Sequence, residues 1–481
     1  MEETLKDKAV KGVAWSAVDK VAVRGINFLI GIVIARVLMP SDYGVIGMIA
    51  VFITLSNLLI DSGLSQALVQ KKNRTQTDMS TAFVFNIAIA AGCYAVLYLA
   101  APCIASFYDM PILTSVLRVI GVNVIFNSLA TVQRANLLIR IDFRTTAIVD
   151  VISVVISGVI GIGMAYKGFG VWALVGQTLT LQCCTAAMLW LLGGWRPTRE
   201  FSKSSIRQLW NFGVKLLAAG TVSTVTREIY SIVIGKFYKS AELGFYHRAV
   251  QTTDMISTTV HEVINTVTFP ILSSIQDERE RMVSVYSRML SMTAFCIFPV
   301  MTLLAVVASP LVSVLLTDKW LPAVPLIQWL CFARMFTPIS SLNMNILNAI
   351  GRSDLFLKVD LAKLPLTVLT MAITLPISVK AVVIGNFVWT FVCYFINAYM
   401  PGKLFGFGVA AQFRIFYKIV IATAVMAAAA AASMMWTDNA WLKLAVGGSV
   451  AAVSYLGASY LMRLPELDEA VAMARKYLKR L

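Results

Sequence analysis

"GIVIARVLMPSDYG" at residues 31–44 and "SIVIGKFYKSAELG" at residues 231–244 are two versions of one turn, two hundred positions apart. Each reads as an apolar helix end, a basic residue (Arg36, Lys236), a short polar turn with an acid (Asp42, Glu242) and a closing glycine (Gly44, Gly244). Pro40 and the glycines are residues that stop and restart helices in few positions. A turn that recurs at such a distance implies a duplicated unit. The number of helices between the copies then decides the architecture.

Composition supplies that number. Of 481 residues, 58% are hydrophobic and 14% charged, against about 25% charged in a soluble chain. The apolar residues fall into runs of about 20, the length a helix needs to cross a hydrocarbon core of roughly 30 Å. About fourteen such spans follow, centred at about residues 26, 55, 91, 125, 155, 181, 222, 256, 296, 334, 366, 389, 425 and 451. Period-two alternation is not seen, which argues against a β-barrel. The connections are short, the longest lying around 194–207 and 271–283, and they leave no room for a soluble domain. The sequence predicts an all-α polytopic membrane protein.

The formal net charge of +16 could suggest nucleic acid as a partner, but its distribution argues otherwise. With the N-terminus in the cytoplasm, most of the 41 Lys and Arg residues fall on the cytoplasmic side, in clusters such as Lys71, Lys72 and Arg74; Arg196, Arg199, Lys203 and Arg207; Arg279 and Arg281; and Arg475, Lys476, Lys479 and Arg480. Arg36, Lys167, Lys236, Lys239, Lys319, Lys380 and Lys443 fall on the other side. This is the positive-inside bias. It predicts cytoplasmic termini and an even helix count, and it excludes nucleic acid as the reason for the charge. The start "MEETLKDK" does not read as a cleavable signal. Cysteines such as Cys93, Cys183, Cys184 and Cys296 lie within spans and read as small apolar filler. Two histidines without a ligand cluster predict no metal site.

Six predicted spans separate the two turns, so both turns face one side of the membrane. That gives two parallel six-helix lobes related by an axis along the membrane normal. The lobes are expected over 1–200 and 201–402, joined by "GWRPTREFSKSSIR" at 194–207. Residues 403–481 add two C-terminal spans and a cytoplasmic amphipathic tail. Duplicated halves place substrate between them and alternate access by rocking.

The pattern "KGVAWSAVDK…GIVIARVLMPSDYG" over 11–44, continued by "DSGLSQALVQ" at 61–70, resembles the start of Wzx-type polysaccharide and O-antigen flippases. These belong to the multidrug/oligosaccharidyl-lipid/polysaccharide (MOP) exporter superfamily. The likeness extends over the whole chain in helix number and lobe arrangement. It implies a non-enzymatic transporter of the bacterial cytoplasmic (inner) membrane, working among other polysaccharide-assembly proteins. The implied cargo is an undecaprenyl-pyrophosphate-linked repeat unit of lipopolysaccharide O-antigen, capsule or exopolysaccharide. It implies no cofactor apart from a coupling proton or Na+.

Charges inside the predicted spans point to the working surface. One charge at the bilayer centre costs from about 2.5 to more than 10 kcal/mol, depending on the method, so each needs a reason. Helical spacing groups them. Lys20, Arg24, Asn27 and Gly31 form one stripe on the first span; Lys215 and Arg227 lie on the seventh, its repeat partner. The eighth carries His247, Gln251, Asp254, Thr258, His261 and Asn265, flanked by Arg248 and Glu262. The tenth gives Arg334, Pro338, Ser341, Asn345 and Asn348, and the eleventh Asp360, Lys363, Thr367 and Thr370. Asn57 and Asp61 come from the second span; Asn123, Asn127 and Arg134 come from the fourth.

Such stripes must face one another or a water-filled cavity. Two roles are open for the neutral members, cavity lining (Asn27, Asn57, Gln251, Thr258, Asn345) or interhelical hydrogen bonding. The cations Lys20, Arg24, Lys215, Arg227, Arg248, Arg334 and Lys363 outnumber nearby acids and predict an anionic cargo. A pyrophosphate suits Arg through paired hydrogen bonds and Lys through point charge. Asp61, Asp254, His261, Glu262 and Asp360 are expected either to form salt bridges or to carry a coupling ion.

Two rivals share this composition. A multidrug exporter of the same superfamily would take cationic drugs, which call for an acidic cavity rather than a basic one. A membrane-embedded glycosyltransferase or polymerase needs paired carboxylates or a metal motif in a sizeable surface loop. Only "SFYDM" and "LTDKW" are offered on the outer side. Cysteines introduced at 39–43 and at 239–243 are expected to react with an impermeant thiol reagent from the same, outer side. Labelling of the two turns from opposite sides would remove the parallel repeat.

Overall fold

The computed structural model describes residues 5–61, 67–69, 71 and 73–478. Lys72, Lys479 and Arg480 lie outside the described residues, as do the side chains of Arg207, Lys215 and Lys476. Contacts divide the chain into Met1–Gly244 and Phe245–Leu481. No strand occurs among the described residues.

The first unit opens with α1 (Leu5–Val37), α2 (Pro40–Asp61), α3 (Gln76–Phe107), α4 (Ile112–Ile120) and α5 (Asn123–Ile139). It continues with α6 (Phe143–Tyr166), α7 (Val171–Leu192), α8 (Lys203–Phe237) and the first turn of α9 (Ser240–Ser274). Beyond α9, the second unit holds α10 (Arg279–Val306), α11 (Ala308–Leu316), a 3-10 turn at Asp318–Ala323, α12 (Val324–Arg334) and α13 (Phe336–Ala349). Then follow α14 (Ser353–Thr374), α15 (Val379–Phe405), α16 (Val409–Met434), α17 (Ala440–Leu461) and α18 (Pro465–Leu478).

Each of the fourteen predicted spans falls on one long helix or on a pair of shorter ones. The fourth is α4–α5 and the tenth is α12–α13. Among the described residues, nine spans pass a test of length and apolar character: α2, α3, α4–α5, α6, α7, α10, α15, α16 and α17. The remaining predicted spans are α1, α8, α9, α12–α13 and α14. These are the helices on which the sequence places most of the charged stripes. Lower apolarity and polar striping are one fact seen twice, because a helix shielded from lipid on one face need not be apolar there.

The duplicated turns meet directly. A Cβ added to Gly44 would lie 1.8 Å from the Ser240 carbonyl oxygen, and one added to Gly244 would lie 1.9 Å from the Pro40 carbonyl oxygen. Pro40 and Ser240, like Gly44 and Gly244, are repeat equivalents, so the contact is reciprocal, as between two copies related by a two-fold axis. The turns themselves are built by local chemistry. Pro40 opens α2 with its φ already set, and the Asp42 carboxylate accepts from the Met39 N–H at 3.0 Å. In the second copy, Lys236 pairs with Asp109 at 3.1 Å.

The connection after α7 is a strap rather than a loose linker. Gln133 Nε2 donates to the Trp195 carbonyl at 2.9 Å, and Asn136 Nδ2 donates to the Gly193 carbonyl at 3.1 Å. Trp195 Nε1 donates to Gln76 Oε1 at 2.9 Å. Backbone N–H groups of Thr198 and Ser202 donate to the hydroxyls of Ser80 (2.9 Å) and Thr81 (3.0 Å) at the start of α3. The indole of Trp195 is buried against Phe83. From this anchored strap α8 packs on α2 and α3. The sequence repeat begins anew near residue 200, whereas the contact boundary lies at Gly244.

In the second unit an aromatic ladder joins α10, α13, α15 and α16. Phe298 stacks on Phe336 and Phe416, and Tyr394 on Phe336 and Phe413, with centroids 5.6–5.9 Å apart. Such pairs contribute about 0.5–1.5 kcal/mol each beyond area burial.

Gly44→Ala and Gly244→Ala should each lower the apparent Tm of the purified chain in detergent. The clash is with backbone carbonyls that no rotamer change relieves, so a cost of about 1–3 kcal/mol or more is expected. Gly448→Ala, which faces open space, is the control and should be neutral or slightly stabilising. Equal Tm values for all three variants would contradict the reciprocal contact.

Candidate functional site

The stripes on α9 and on α12–α13 face each other. Pro338 explains how. It has no N–H, so it cannot bond the carbonyl four residues earlier, and the helix breaks at Met335 between α12 and α13. The residue left with that carbonyl is Arg334, whose oxygen accepts instead from Ser257 Oγ of α9 at 3.0 Å. A broken helix is tolerated at membrane depth when a neighbour re-satisfies the freed group. The same residue carries the cation, and Arg334 Nε meets Asp254 Oδ1 at 2.5 Å. One turn of α9 therefore fixes both the backbone and the side chain of Arg334.

Two turns further along, Asn265 Oδ1 accepts from Ser341 Oγ at 2.7 Å and from Asn345 Nδ2 at 2.6 Å. Asn265 Nδ2 lies 2.8 Å from His261 Nε2. Thr258, exposed on α9, bonds its Oγ1 back to the Asp254 carbonyl at 2.5 Å, a local bond that hydroxyl side chains make within helices. Glu262 is half-buried beside His261. Interhelical bonds of this kind average about 0.6 kcal/mol in a bilayer. The set therefore fixes register more than it stabilises.

Near the N-terminal end of α9 the predicted cation Arg248 is buried, with 6% of its surface exposed. Its guanidinium lies 5.2 Å from the centroid of the fully buried Trp320, and Nη1 donates to Gln251 Oε1 at 3.1 Å. On α14, Lys363 pairs with Asp360 at 2.6 Å, and the lysine side chain is only 16% exposed. Thr367 Oγ1 bonds back to the Lys363 carbonyl at 3.1 Å.

In the first unit, Asn127 Nδ2 of α5 donates to Asn57 Oδ1 of α2 at 3.0 Å, which joins two predicted stripes. Arg134 is held in a fork by Asp150, with bonds of 3.1 and 2.6 Å. Asp19 lies within electrostatic reach of Asp150, Arg134 and Lys20. Lys20 is exposed, and Arg24 and Asn27 are half-buried, on α1. Asp61 is exposed at the end of α2. Arg227 is exposed on α8 beside Glu228, at 3.5 Å. The side chain of Lys215 lies outside the described residues.

Several site members had no place in the spacing argument. Asp150 is a single acid in the otherwise apolar stretch 145–166, and that isolation was the available signal. Asp19 sits one position off the α1 stripe. Asn343, Gln412 and Tyr286 form a buried triad in which Gln412 Nε2 donates to Asn343 Oδ1 at 3.0 Å and to the Tyr286 hydroxyl at 3.2 Å. The Tyr286 hydroxyl in turn donates to Asn343 Oδ1. Its members come from three helices, so no single-helix pattern exposes it. Among the described residues no cluster of three or more His, Cys, Asp or Glu could hold a metal ion.

Comparison with known proteins gives the family. A family described as "Polysaccharide biosynthesis protein" matches residues 33–325, more than half of the chain. The chain belongs to this family. Among polysaccharide biosynthesis proteins, it is 22% identical over 465 residues to "Teichuronic acid biosynthesis protein TuaB" of Bacillus subtilis, covering 94% of this chain and 95% of that one. It is 24% identical over 343 residues to "Succinoglycan biosynthesis transport protein ExoT" of Rhizobium meliloti, covering 71% and 69%. It is 21% identical over 366 residues to "Lipopolysaccharide biosynthesis protein WzxC" of Escherichia coli, covering 75% and 74%.

The fold is shared with two solved structures. Lipid II flippase MurJ in an inward closed conformation superposes with a TM-score of 0.77 at 14% identity, covering 93% of this chain and 98% of that one. An inward-facing multidrug resistance MATE family transporter of the MOP superfamily superposes with a TM-score of 0.63 at 16% identity, covering 79% and 94%. The resemblance carried by residues 11–44 and 61–70 thus agrees with the family and the fold of this polysaccharide biosynthesis protein. It is a multi-pass membrane protein of the MOP fold.

The Arg334–Asp254 pair should show strong coupling. In a double-mutant cycle with Arg334→Met and Asp254→Asn, the two single losses in Tm should exceed the loss in the double variant. The interaction energy should fall within about 0.5–3 kcal/mol. Strict additivity would mean that the pair contributes nothing to the fold.

Proposed function

We propose that the chain is a lipid-linked oligosaccharide flippase of the bacterial cytoplasmic membrane, with both termini in the cytoplasm. Its cargo class is an undecaprenyl-pyrophosphate-linked repeat unit for a surface polysaccharide, moved by alternating access. The observation that carries this reading is the set of cations held on striped helices in a member of the polysaccharide biosynthesis protein family. Relatives named for teichuronic acid, succinoglycan and lipopolysaccharide biosynthesis support a sugar-polymer cargo. The MurJ-like fold supports a lipid-linked one.

Lys20, Arg24, Lys215, Arg227, Arg334 and Lys363 are the proposed pyrophosphate contacts. Arg334 and Lys363 are each neutralised by one carboxylate, Asp254 and Asp360. A pyrophosphate competes for such a cation at little electrostatic cost, because one anion replaces another. The released carboxylate is then free to take a proton or Na+, which would couple cargo to ion. Asp61, His261 and Glu262 are further candidates for that ion. Arg248, under Trp320, is placed to position Gln251 rather than to reach cargo directly. Asn27, Asn57, Thr258 and Asn345 would meet the sugar. A multidrug substrate fits less well, since cationic drugs would meet like charge at these Lys and Arg residues.

Arg24→Ala is expected to reduce polysaccharide export more than tenfold while membrane abundance stays near that of the parent chain. Arg24→Lys should retain part of the activity, since charge is kept and the planar fork is lost. Export at the parental rate by Arg24→Ala and by Arg227→Ala would show that these cations are structural.

A further inference from the structure

A groove of about 420 Å³ runs between α14 and α15, lined by Val359, Ala362, Phe395, Ile396, Tyr399 and Met400, with Lys358 as its one charged lining residue. The walls are on the surface of the chain, with Phe395 and Tyr399 38% and 62% exposed and Leu361 nearby 52% exposed. Among the described residues Lys358 makes no ion pair and no hydrogen bond. Its neighbours on the same helix are engaged, since Asp354 is held by Arg352 at 2.8 Å and Asp360 by Lys363 at 2.6 Å. The uncommitted ammonium thus stands over an apolar trough. Lys358 lies five residues into α14 from Ser353, about 7.5 Å along its axis.

We propose that this groove is a binding site for an anionic phospholipid of the leaflet facing the N-terminal end of α14. The phosphodiester would pair with Lys358 and one acyl chain would fill the trough along Phe395 and Tyr399. One free ammonium matches one negative charge, which favours a phosphodiester lipid over the doubly charged pyrophosphate of a carrier lipid. A charge-assisted contact at the rim orders the headgroup. Apolar contact with the trough orders the chain, and the lipid would brace α14, the helix that bears the Lys363–Asp360 pair. The site does not depend on the proposed cargo.

Native mass spectrometry of the full chain, purified in detergent and titrated with phosphatidylglycerol or phosphatidylcholine, tests the proposal. Phosphatidylglycerol should bind at least fivefold more tightly than phosphatidylcholine. Lys358→Ala should remove that preference and Lys358→Arg should keep most of it. Ala362→Trp, which fills the trough without touching the charge, should weaken both lipids. Both substitutions are on the surface, and an unchanged Tm in lipid-free detergent shows that they fold. Equal binding of the two lipids overturns the proposal, as does a preference that survives Lys358→Ala. Displacement of phosphatidylglycerol by equimolar undecaprenyl pyrophosphate would reassign the groove to carrier lipid, and displacement by inorganic phosphate would reduce it to an anion contact.

Discussion

Two glycines that leave no room for a Cβ hold the repeated turns together. Gly44 and Gly244 each lie against a carbonyl oxygen of the other copy, at Ser240 and Pro40. Any side chain at either position would drive the turns apart. Because the contact is reciprocal, the two turns pack as equivalents within the first unit, Met1–Gly244.

A second constraint comes from the bilayer, which cannot hydrogen-bond a stray polar group. The chain meets it by pairing polar groups across helices. Pro338 frees the Arg334 carbonyl and Ser257 takes it up; Asn265 gathers Ser341 and Asn345; Asp254 neutralises Arg334. Within α14 itself, Asp360 neutralises Lys363. Each pair is weak by itself. The fully buried Tyr286–Asn343–Gln412 triad, which joins α10, α13 and α16, carries no charge.

The strap at Gly193–Ser202 shows how composition can mislead about mobility. It is polar and basic and holds Pro197, the signature of a free linker, yet its backbone groups are claimed by Gln133, Asn136, Ser80 and Thr81. Those partners lie some 60 or 120 residues away in sequence. Polar side chains near the ends of α3 and α5 are the strap's anchor points.

Period and composition settled what depends on distance along the chain. Runs of apolar residues gave the spans, the recurrence at 31–44 and 231–244 gave the duplication, and i, i+4, i+7 spacing gave the polar faces of α1, α9, α13 and α14. These are readable because a helix in lipid has one geometry and one solvent. Pairing across helices was not readable, since it depends on rotation and crossing of separate helices. Spacing put Arg248 beside the stripe of α9 and Arg334 on that of α12–α13, but only tertiary packing buried Arg248 under Trp320 and set Arg334 against Asp254. It also chose Asp150 as the partner of Arg134. A stripe says that a polar face must be shielded from lipid, and the neighbour that shields it decides which charge meets which.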